Sequence, residues 1–418
     1  MKVHKFGGAS VKDGPGIRNL AEIVSEVSGN LVIVVSAFGK TTNALEKVLK
    51  AWINSDPVYM NLLDEIYRYH HLVINELFID KGIVSGNIDN SFAKLKEYLS
   101  KGRKGEYDYE YDQIVSYGEI WSTLIVAGFL KTVMPDVEWI DIRTNLLTDD
   151  RFRDANILWS ESRNRVQKVF DFRTKRVYVT QGFIGGTVSG QATTLGREGS
   201  DYTAAIIANM LDAECVVVWK DVAGILNADP KWLPDAKRLD EISYKEAVEM
   251  SFSGAKVIHP KTIKPLHNKN IPLHVKSFVR PREAGTIIKA DAALREIMPV
   301  FIKKEDQILI SILPKDFSFV MGDNLSRIFH CFIENGIKVN LVEASAISID
   351  VCLDDERQKV KALIEDLKSD FSAVYNEKVE MLSVRHYTPE ALDRITRGRE
   401  ILLEQRTRST VRYVVRQE

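Results

Sequence analysis

Val3-His4-Lys5-Phe6-Gly7-Gly8-Ala9-Ser10 is a short apolar run that ends abruptly in two glycines. Val3–Phe6 has the letters of a β-strand, and Gly16–Ser28 beyond it spaces its apolar residues as an amphipathic helix does. Paired glycines between a strand and a helix let backbone N–H groups approach an anion closely, and the helix start favours negative charge. Lys5 would add a cation there, although a plain structural turn explains the same letters. Outward from this point, Leu31–Val35 is a second strand, with a helix from about Thr42 to Asn54. Arg176–Thr180, Cys215–Trp219 and Pro272–Val275 supply further strands, and Tyr202–Leu211 and Tyr244–Phe252 the helices among them. Strands alternating with helices predict an α/β fold, a largely parallel sheet sandwiched by helices. The unbroken apolar letters of Leu31–Val35 and Cys215–Trp219 suit strands covered on both faces.

From about residue 51 to 112 the pattern becomes long helices rich in Tyr, Leu and Ile, which predicts a helical lobe within the first domain. His70 and His71 lie there. Neighbours on a helix point about 100° apart, so the pair suits packing better than a shared metal. Near residues 290–304 the alternation breaks. Gln307–Leu313 then reads as a strand, Asp323–Asn335 as a helix closed by Gly336, Ile337–Leu341 and Ala346–Leu353 as strands, and Glu356–Asp370 as a helix. A strand at Val379–His386, a helix at Pro389–Glu400 and a strand at Thr410–Val415 follow. The expected domains are 1–292, a small α+β unit over 303–378, and a shorter related unit over 379–418.

The chain has 418 residues, 45% hydrophobic and 28% charged, enough for two or three domains at roughly 150 residues each. Lys plus Arg number 57 against 58 Asp plus Glu, so no basic field calls for nucleic acid. Three scattered cysteines form neither a disulfide framework nor a metal-ligand spacing, which fits a reducing, cytoplasmic setting. Met1–Lys5 carries no apolar leader. Leu31–Val35 and Leu124–Leu130 fall far short of the ~20 residues that cross a bilayer, so no membrane is expected.

Three further clusters carry chemistry. Thr194-Leu195-Gly196-Arg197-Glu198-Gly199-Ser200-Asp201 precedes a helix, and an arginine inside a glycine loop has the fork that matches a carboxylate. Asp201 or Ser200 could equally be an ordinary N-cap. Lys220-Asp221 follows a buried strand, at the end where open α/β sheets take ligands; the Asn227–Lys231 stretch beyond it also reads as an Asp-Pro turn. Ser253-Gly254-Ala255-Lys256 sets another lysine beside a glycine, and His259 before Pro260 suits a helix boundary. Gly39-Lys40-Thr41 only imitates a phosphate-binding P-loop, since Val34 stands where its first glycine belongs. Lysines, glycine loops and one carboxylate-reading arginine together suit phosphoryl transfer, which is mostly positioning and charge neutralisation.

Taken in order, Lys5–Ser10, Val35-Ser36-Ala37, Thr42-Asn43, Gly118-Glu119, Thr194–Ala204 and Gly254–Pro260 resemble aspartate kinase, of the amino acid kinase superfamily, over about the first 290 residues. The resemblance implies ATP-dependent phosphorylation of the L-aspartate side chain to 4-phospho-L-aspartate, the first step toward lysine, threonine and methionine. By position it implies catalytic roles for Lys5, Asp201 and Lys256, and an aspartate pocket of Ser36, Thr42, Glu119, Arg197 and Ser200. It places the nucleotide near Gly7, Gly8, Ser10, Lys220, Asp221, Lys231 and Lys256. Mg²⁺ is expected to ride on the ATP phosphates, with no dedicated protein ligands.

The sequence departs from the family at Ala9, Glu198, Lys220 and Lys231, where threonine, glycine, threonine and arginine are usual. Glu198 puts a negative charge beside Arg197 and could reshape the aspartate site. The C-terminal region, from Met321-Gly322-Asp323-Asn324-Leu325 through Asn335–Asn340, is similar to ferredoxin-like ACT regulatory units. Such units imply a homodimer, with pairing into tetramers open, and an amino-acid effector, lysine or threonine. Asn340 and Ala346 stand where lysine-sensitive relatives carry acids, and the second unit is short. No fused homoserine dehydrogenase is expected. Two other functions remain: a relative that phosphorylates N-acetylglutamate, opposed by Glu119, and a catalytically dead amino-acid sensor, opposed by intact Lys5, Arg197 and Asp201.

Overall fold

A computed structural model describes residues 1–255, 258–292 and 298–417. Contacts divide the chain into two compact units: Met1–Ile225, Arg238–Val248 and Val257–Ala293 form one, and Leu226–Lys237, Glu249–Lys256 and Leu294–Glu418 the other. Segments 226–237 and 249–256, expected in the first domain, therefore group with the C-terminal unit.

The first unit begins β1 (Lys2–Phe6), α1 (Gly14–Ser25), β2 (Leu31–Val35), α2 (Thr41–Ile53). The helical lobe follows as α3 (Val58–Leu77), α4 (Gly82–Ser100), α5 (Tyr107–Val115) and α6 (Tyr117–Val133). Next come β3 (Val137–Ile140), α7 (Trp159–Val169), β4 (Val177–Gln181), the β5 (Ile184–Gly186) and β6 (Ala192–Thr194) hairpin, α8 (Gly199–Met210) and β7 (Cys215–Lys220). After β8 (Glu241–Ser243) and α9 (Tyr244–Phe252), whose last residues group with the other unit, α10 (Pro260–His267), β9 (Leu273–Ser277) and β10 (Thr286–Lys289) complete the series. Eight strands form one sheet in the order β3-β4-β2-β1-β7-β9-β10-β8. Every pairing in it is parallel except β9 with β10. All five residues of β2 are buried, as strands covered on both faces require. In the lobe the rings of Phe92 and Trp121 stack 3.7 Å apart at 7°.

The letters ended the lobe near residue 112 and marked Leu124–Leu130 beyond it only as a short apolar run. In the structure Tyr107–Val133 is a near-continuous helical run, long and apolar enough to cross a membrane by length and composition, but its apolar window is 78% buried in the fold. It is a core element. His70 and His71 turn to different partners, Nδ1 of His70 to the Ile66 carbonyl at 2.8 Å and Nε2 of His71 to Asp89 at 2.8 Å.

The second unit contains β11 (Val300–Pro314), α11 (Asp323–Glu334), β12 (Val339–Ala344), β13 (Ile349–Asp354), α12 (Arg357–Leu367), β14 (Phe371–Arg385), α13 (Pro389–Thr396), β15 (Arg399–Arg406) and β16 (Thr410–Gln417). Its sheet runs β12-β13-β11-β14-β16-β15, antiparallel throughout. β14 passes unbroken across residue 379, so one strand serves both halves of the α+β region. One expectation is corrected: the helix expected to reach Glu400 stops at Thr396, Gly398 adopts φ +70°, and Arg399–Arg406 pairs with β16. Charged letters every few residues mimicked a helical face, and antiparallel pairing decided otherwise.

Candidate active site

β1, β2, β4 and β7 are parallel neighbours, so the loops after them leave at one edge of the sheet. From β1 the chain continues to β2 on one side and later returns to β7 on the other, which opens a crevice there. A cavity of about 640 Å³ occupies it. Its first wall is the glycine turn after β1. Gly39 N donates to the Gly8 carbonyl at 2.9 Å, joining this turn to the loop after β2, and Ser10 N donates to Gly7 O at 3.0 Å. A side chain on Gly8 would run into the Ala37 carbonyl oxygen, so only glycine permits the approach.

Lys5, at the end of β1, reaches Asp201 in the first turn of α8, Nζ to Oδ1 at 2.7 Å. Lys220, at the end of β7, holds Asp201 Oδ2 at 3.7 Å. Burial alone would raise the Asp201 pKa, but the two ammonium charges outweigh it and keep the carboxyl below its usual range. A fixed carboxylate thus aims two lysines into one cavity.

Glu119 lies across from them in the first turn of α6. Gly118 lets this helix end pack on Ala37 and Thr41, since a Cβ there would already stand 3.1 Å from the Ala37 Cβ. Glu119 Oε1 accepts from Ala37 N at 3.4 Å, whereas buried Oε2 has no hydrogen-bond partner among the described residues. Burial pushes this carboxyl up to about 8 against the weaker pull of backbone donors. Ser36, Thr42, Arg197 and Ser200 line the same cavity, together with Gly8, Ala9, Glu198 and Asp201. The Arg197 side chain makes no hydrogen bond or ion pair among the described residues, leaving its fork open to a ligand. Glu198 caps α8 in a left-handed conformation, φ +55°, and its Oε2 accepts from His259 N at 2.9 Å, so one oxygen is bound at the start of α10.

The remaining expected residues fall elsewhere. Gly7 and Ser10 close the turn beside the cavity without lining it, and Asp221 is exposed past the end of β7. Lys231 belongs to the second compact unit, where its N–H caps Asp229 Oδ1 at 2.9 Å. Lys256 lies outside the described residues.

Phe183 also lines the cavity, as do Tyr111 and Arg153, which sequence reasoning missed. The Arg153 guanidinium sits 4.7 Å over the Tyr111 ring and 3.1 Å from Asp108. Buried Asp112 organises this wall, accepting from Arg153 N at 2.9 Å, Thr194 N at 2.8 Å and Thr194 Oγ1 at 2.7 Å. Burial raises its pKa to about 6 despite those donors. The available signal was weak: an Arg-Phe-Arg-Asp turn, and a buried-looking Asp in an aromatic helix whose partners are 41 and 82 positions away.

Crevice, glycine turns and lysines held by one carboxylate define a phosphoryl-transfer fold, and the comparisons agree. The amino acid kinase family model matches residues 1–277, and the chain belongs to that family. Within it the similar proteins are aspartokinases. Lysine-sensitive aspartokinase 3 of Escherichia coli is 30% identical over 84% of this chain and 78% of its own. A chloroplastic bifunctional aspartokinase/homoserine dehydrogenase 2 of Arabidopsis thaliana is 31% identical over 88% of this chain and 42% of its own, so the chain spans about two fifths of that relative. The crystal structure of E. coli aspartokinase III with aspartate and ADP superposes with a TM-score of 0.84 at 26% identity, covering 99% of this chain and 96% of that one.

Proposed function

We propose that the chain is an aspartate kinase, transferring the γ-phosphoryl group of Mg·ATP to the side-chain carboxylate of L-aspartate, the first step toward lysine, threonine and methionine. The observation that carries this is Glu119 Oε2, a buried carboxyl oxygen without a partner among the described residues, in a cavity that Lys5, Arg153, Arg197 and Lys220 also line. An ammonium group answers it. Arg197 is suited to the α-carboxylate, which leaves the side-chain carboxylate directed toward Lys5. An N-acetylated acceptor has no cation for Glu119 and would strand it.

The nucleophile is already ionised at neutral pH, so no general base is required. One carboxylate oxygen bonds to the γ-phosphorus, the bond from phosphorus to the bridging β,γ-oxygen breaks, and ADP leaves with that electron pair. Lys5 and Lys220, fixed by Asp201, offset the charge gathered on the phosphoryl oxygens. Asp221 is assigned to the same nucleotide end, and Gly7, Gly8 and Ser10 to the phosphate turn. Among the described residues no three His, Cys, Asp or Glu side chains converge, and Asp201 is already paired with two lysines. That donor set fits Mg²⁺ carried on the nucleotide, where it would neutralise phosphate charge.

We assign the protein to the cytosol, consistent with its three free cysteines, and to a homodimer formed by the C-terminal unit. Phe317, Phe319 and Met321 are exposed there, and so is Ile333 of α11. Lysine or threonine would be the effector. A structure of E. coli aspartokinase III holds lysine with aspartate. Here Asn340 is committed internally, donating to Gln307 at 2.8 Å and Asp354 at 2.9 Å and accepting from Lys304 at 2.7 Å, which weighs toward threonine over lysine.

The test is acyl phosphate formation from Mg·ATP, trapped with hydroxylamine, using L-aspartate and N-acetyl-L-glutamate in parallel. Hydroxamate with aspartate alone is expected. Hydroxamate with only the acetylated acceptor would overturn the pocket assignment, and none with either would point to a sensor.

A further inference from the structure

The first compact unit holds a second cavity, of about 590 Å³, where α7, α8 and α10 meet. Four cationic side chains line it, Arg163, Lys261, Lys264 and Lys269, and no carboxylate does. Two carboxylates answer from outside the lining: Asp154 pairs with Lys261 and Asp212 with Lys269. Both pairs are solvent-accessible and therefore weak. Arg163 donates only to neutral groups, its Nη2 to Asn209 Oδ1 at 3.0 Å. The Lys264 ammonium has no hydrogen-bond or ion-pair partner among the described residues. Four cations against two carboxylates leave an excess of two positive charges. Trp159 at the start of α7 and Tyr202 on α8 add flat apolar surface.

This concavity is separate from the substrate cavity but shares a wall with it. On α8, Asp201 lines the first and its neighbour Tyr202 the second; in the preceding loop Arg153 lines the first and Ala155 the second. Asp154, between those two residues, pairs with Lys261 and lies where it would block a Cβ on Gly196 of the substrate loop.

We propose that this second cavity binds a phosphorylated planar ring, in the simplest case a nucleoside monophosphate. The phosphate, close to a dianion at neutral pH, matches the twofold excess of charge carried by Arg163 and Lys264, with Lys269 beside them on the same wall. The ring lies against Trp159 and Tyr202, where an aromatic face contributes by stacking. Like charges gathered in one concavity repel, and a bound dianion relieves that repulsion. The volume is in the range of small-ligand sites, roughly 300–1,000 Å³. Because Asp154 touches both sides, an anion that draws Lys261 away from it acts next to the Gly196–Arg197 loop.

The experiment uses the full chain with its nucleotide site saturated by a non-hydrolysable Mg·ATP analogue. AMP, adenosine and inorganic phosphate are titrated separately, with tryptophan fluorescence and calorimetry as readouts. Expected are saturable AMP binding, weakened at least about tenfold in Lys264→Glu, and weaker binding of phosphate or adenosine alone. The fluorescence change should vanish in Trp159→Phe while calorimetric binding persists. Lys269→Gln is the parallel variant should Lys264→Glu not fold. Absence of saturable AMP binding, equal affinity in the charge variants, or phosphate binding as tightly as AMP would each overturn the proposal. No turnover is measured, so the outcome stands apart from the identity of the acceptor.

Discussion

Glu119 is the residue on which the chemistry turns. Its folded pKa of about 8 stands above its ordinary value of 4.5. Between those values the folded chain holds a proton that the unfolded chain has lost, so stability falls as pH rises through the window and levels off above it. Unfolding midpoints measured from pH 5 to 9 should show this slope, and Glu119→Gln should flatten it. Ligand binding reverses the balance, because an ammonium beside Oε2 favours the ionised form. Aspartate binding at pH 7 should therefore release a proton, visible as a buffer-dependent calorimetric enthalpy, and Glu119→Gln should abolish the release. The two cations at either end of the substrate should separate kinetically. Arg197→Ala is expected to raise the aspartate KM by roughly 10- to 100-fold. Lys5→Ala should instead lower kcat by about 10²- to 10³-fold. Full activity in either variant would remove the role assigned to it.

At the scale of elements, the turn after β1 and the wall held by Asp112 do the positioning. Gly7 and Gly8 look alike in the sequence but not in the fold. A Cβ on Gly7 would meet only the Lys5 Nζ at 3.7 Å, whereas one on Gly8 would strike the Ala37 backbone. Gly8→Ala should thus destabilise by about 1–3 kcal/mol and lose most activity, with Gly7→Ala close to wild type in denaturant midpoint. Asp112→Asn keeps the shape but removes an acceptor shared by α5, β6 and the Arg153 turn. A cost of about 1–3 kcal/mol and a raised aspartate KM are expected, checked by urea unfolding and steady-state kinetics.

At the scale of the whole molecule, the C-terminal unit leaves Phe317, Phe319 and Met321 in water at the approach to α11. Such an exposed apolar group is an interaction surface in most proteins. Sedimentation should find the chain dimeric at micromolar concentration, and Phe319→Asp should shift it toward monomer without loss of folding. A monomeric wild-type chain would remove the assignment of that surface.

The alternation of strands and helices, the buried strands Leu31–Val35 and Cys215–Trp219, and the glycine turns were legible in the letters, because burial on two faces and close backbone approach leave local signatures; short elements such as Val137–Ile140 and Trp159–Val169 were not. Lys5, Arg197 and Asp201 stand out in the letters near glycine turns, Glu119 entered through the family resemblance alone, and the fold brings all four to one cavity. What the letters withheld was everything fixed by distant partners. The pairing of Lys5 and Lys220 on Asp201 spans nearly the length of the first unit, and Asp112 meets Thr194 across 82 positions. The first residues of β15, Arg399 and Glu400, read as the end of a helix until their neighbour is known. Ionisation belongs to the same class: a glutamate's pKa depends on the water and charge around it, and only the folded chain removes the one and arranges the other.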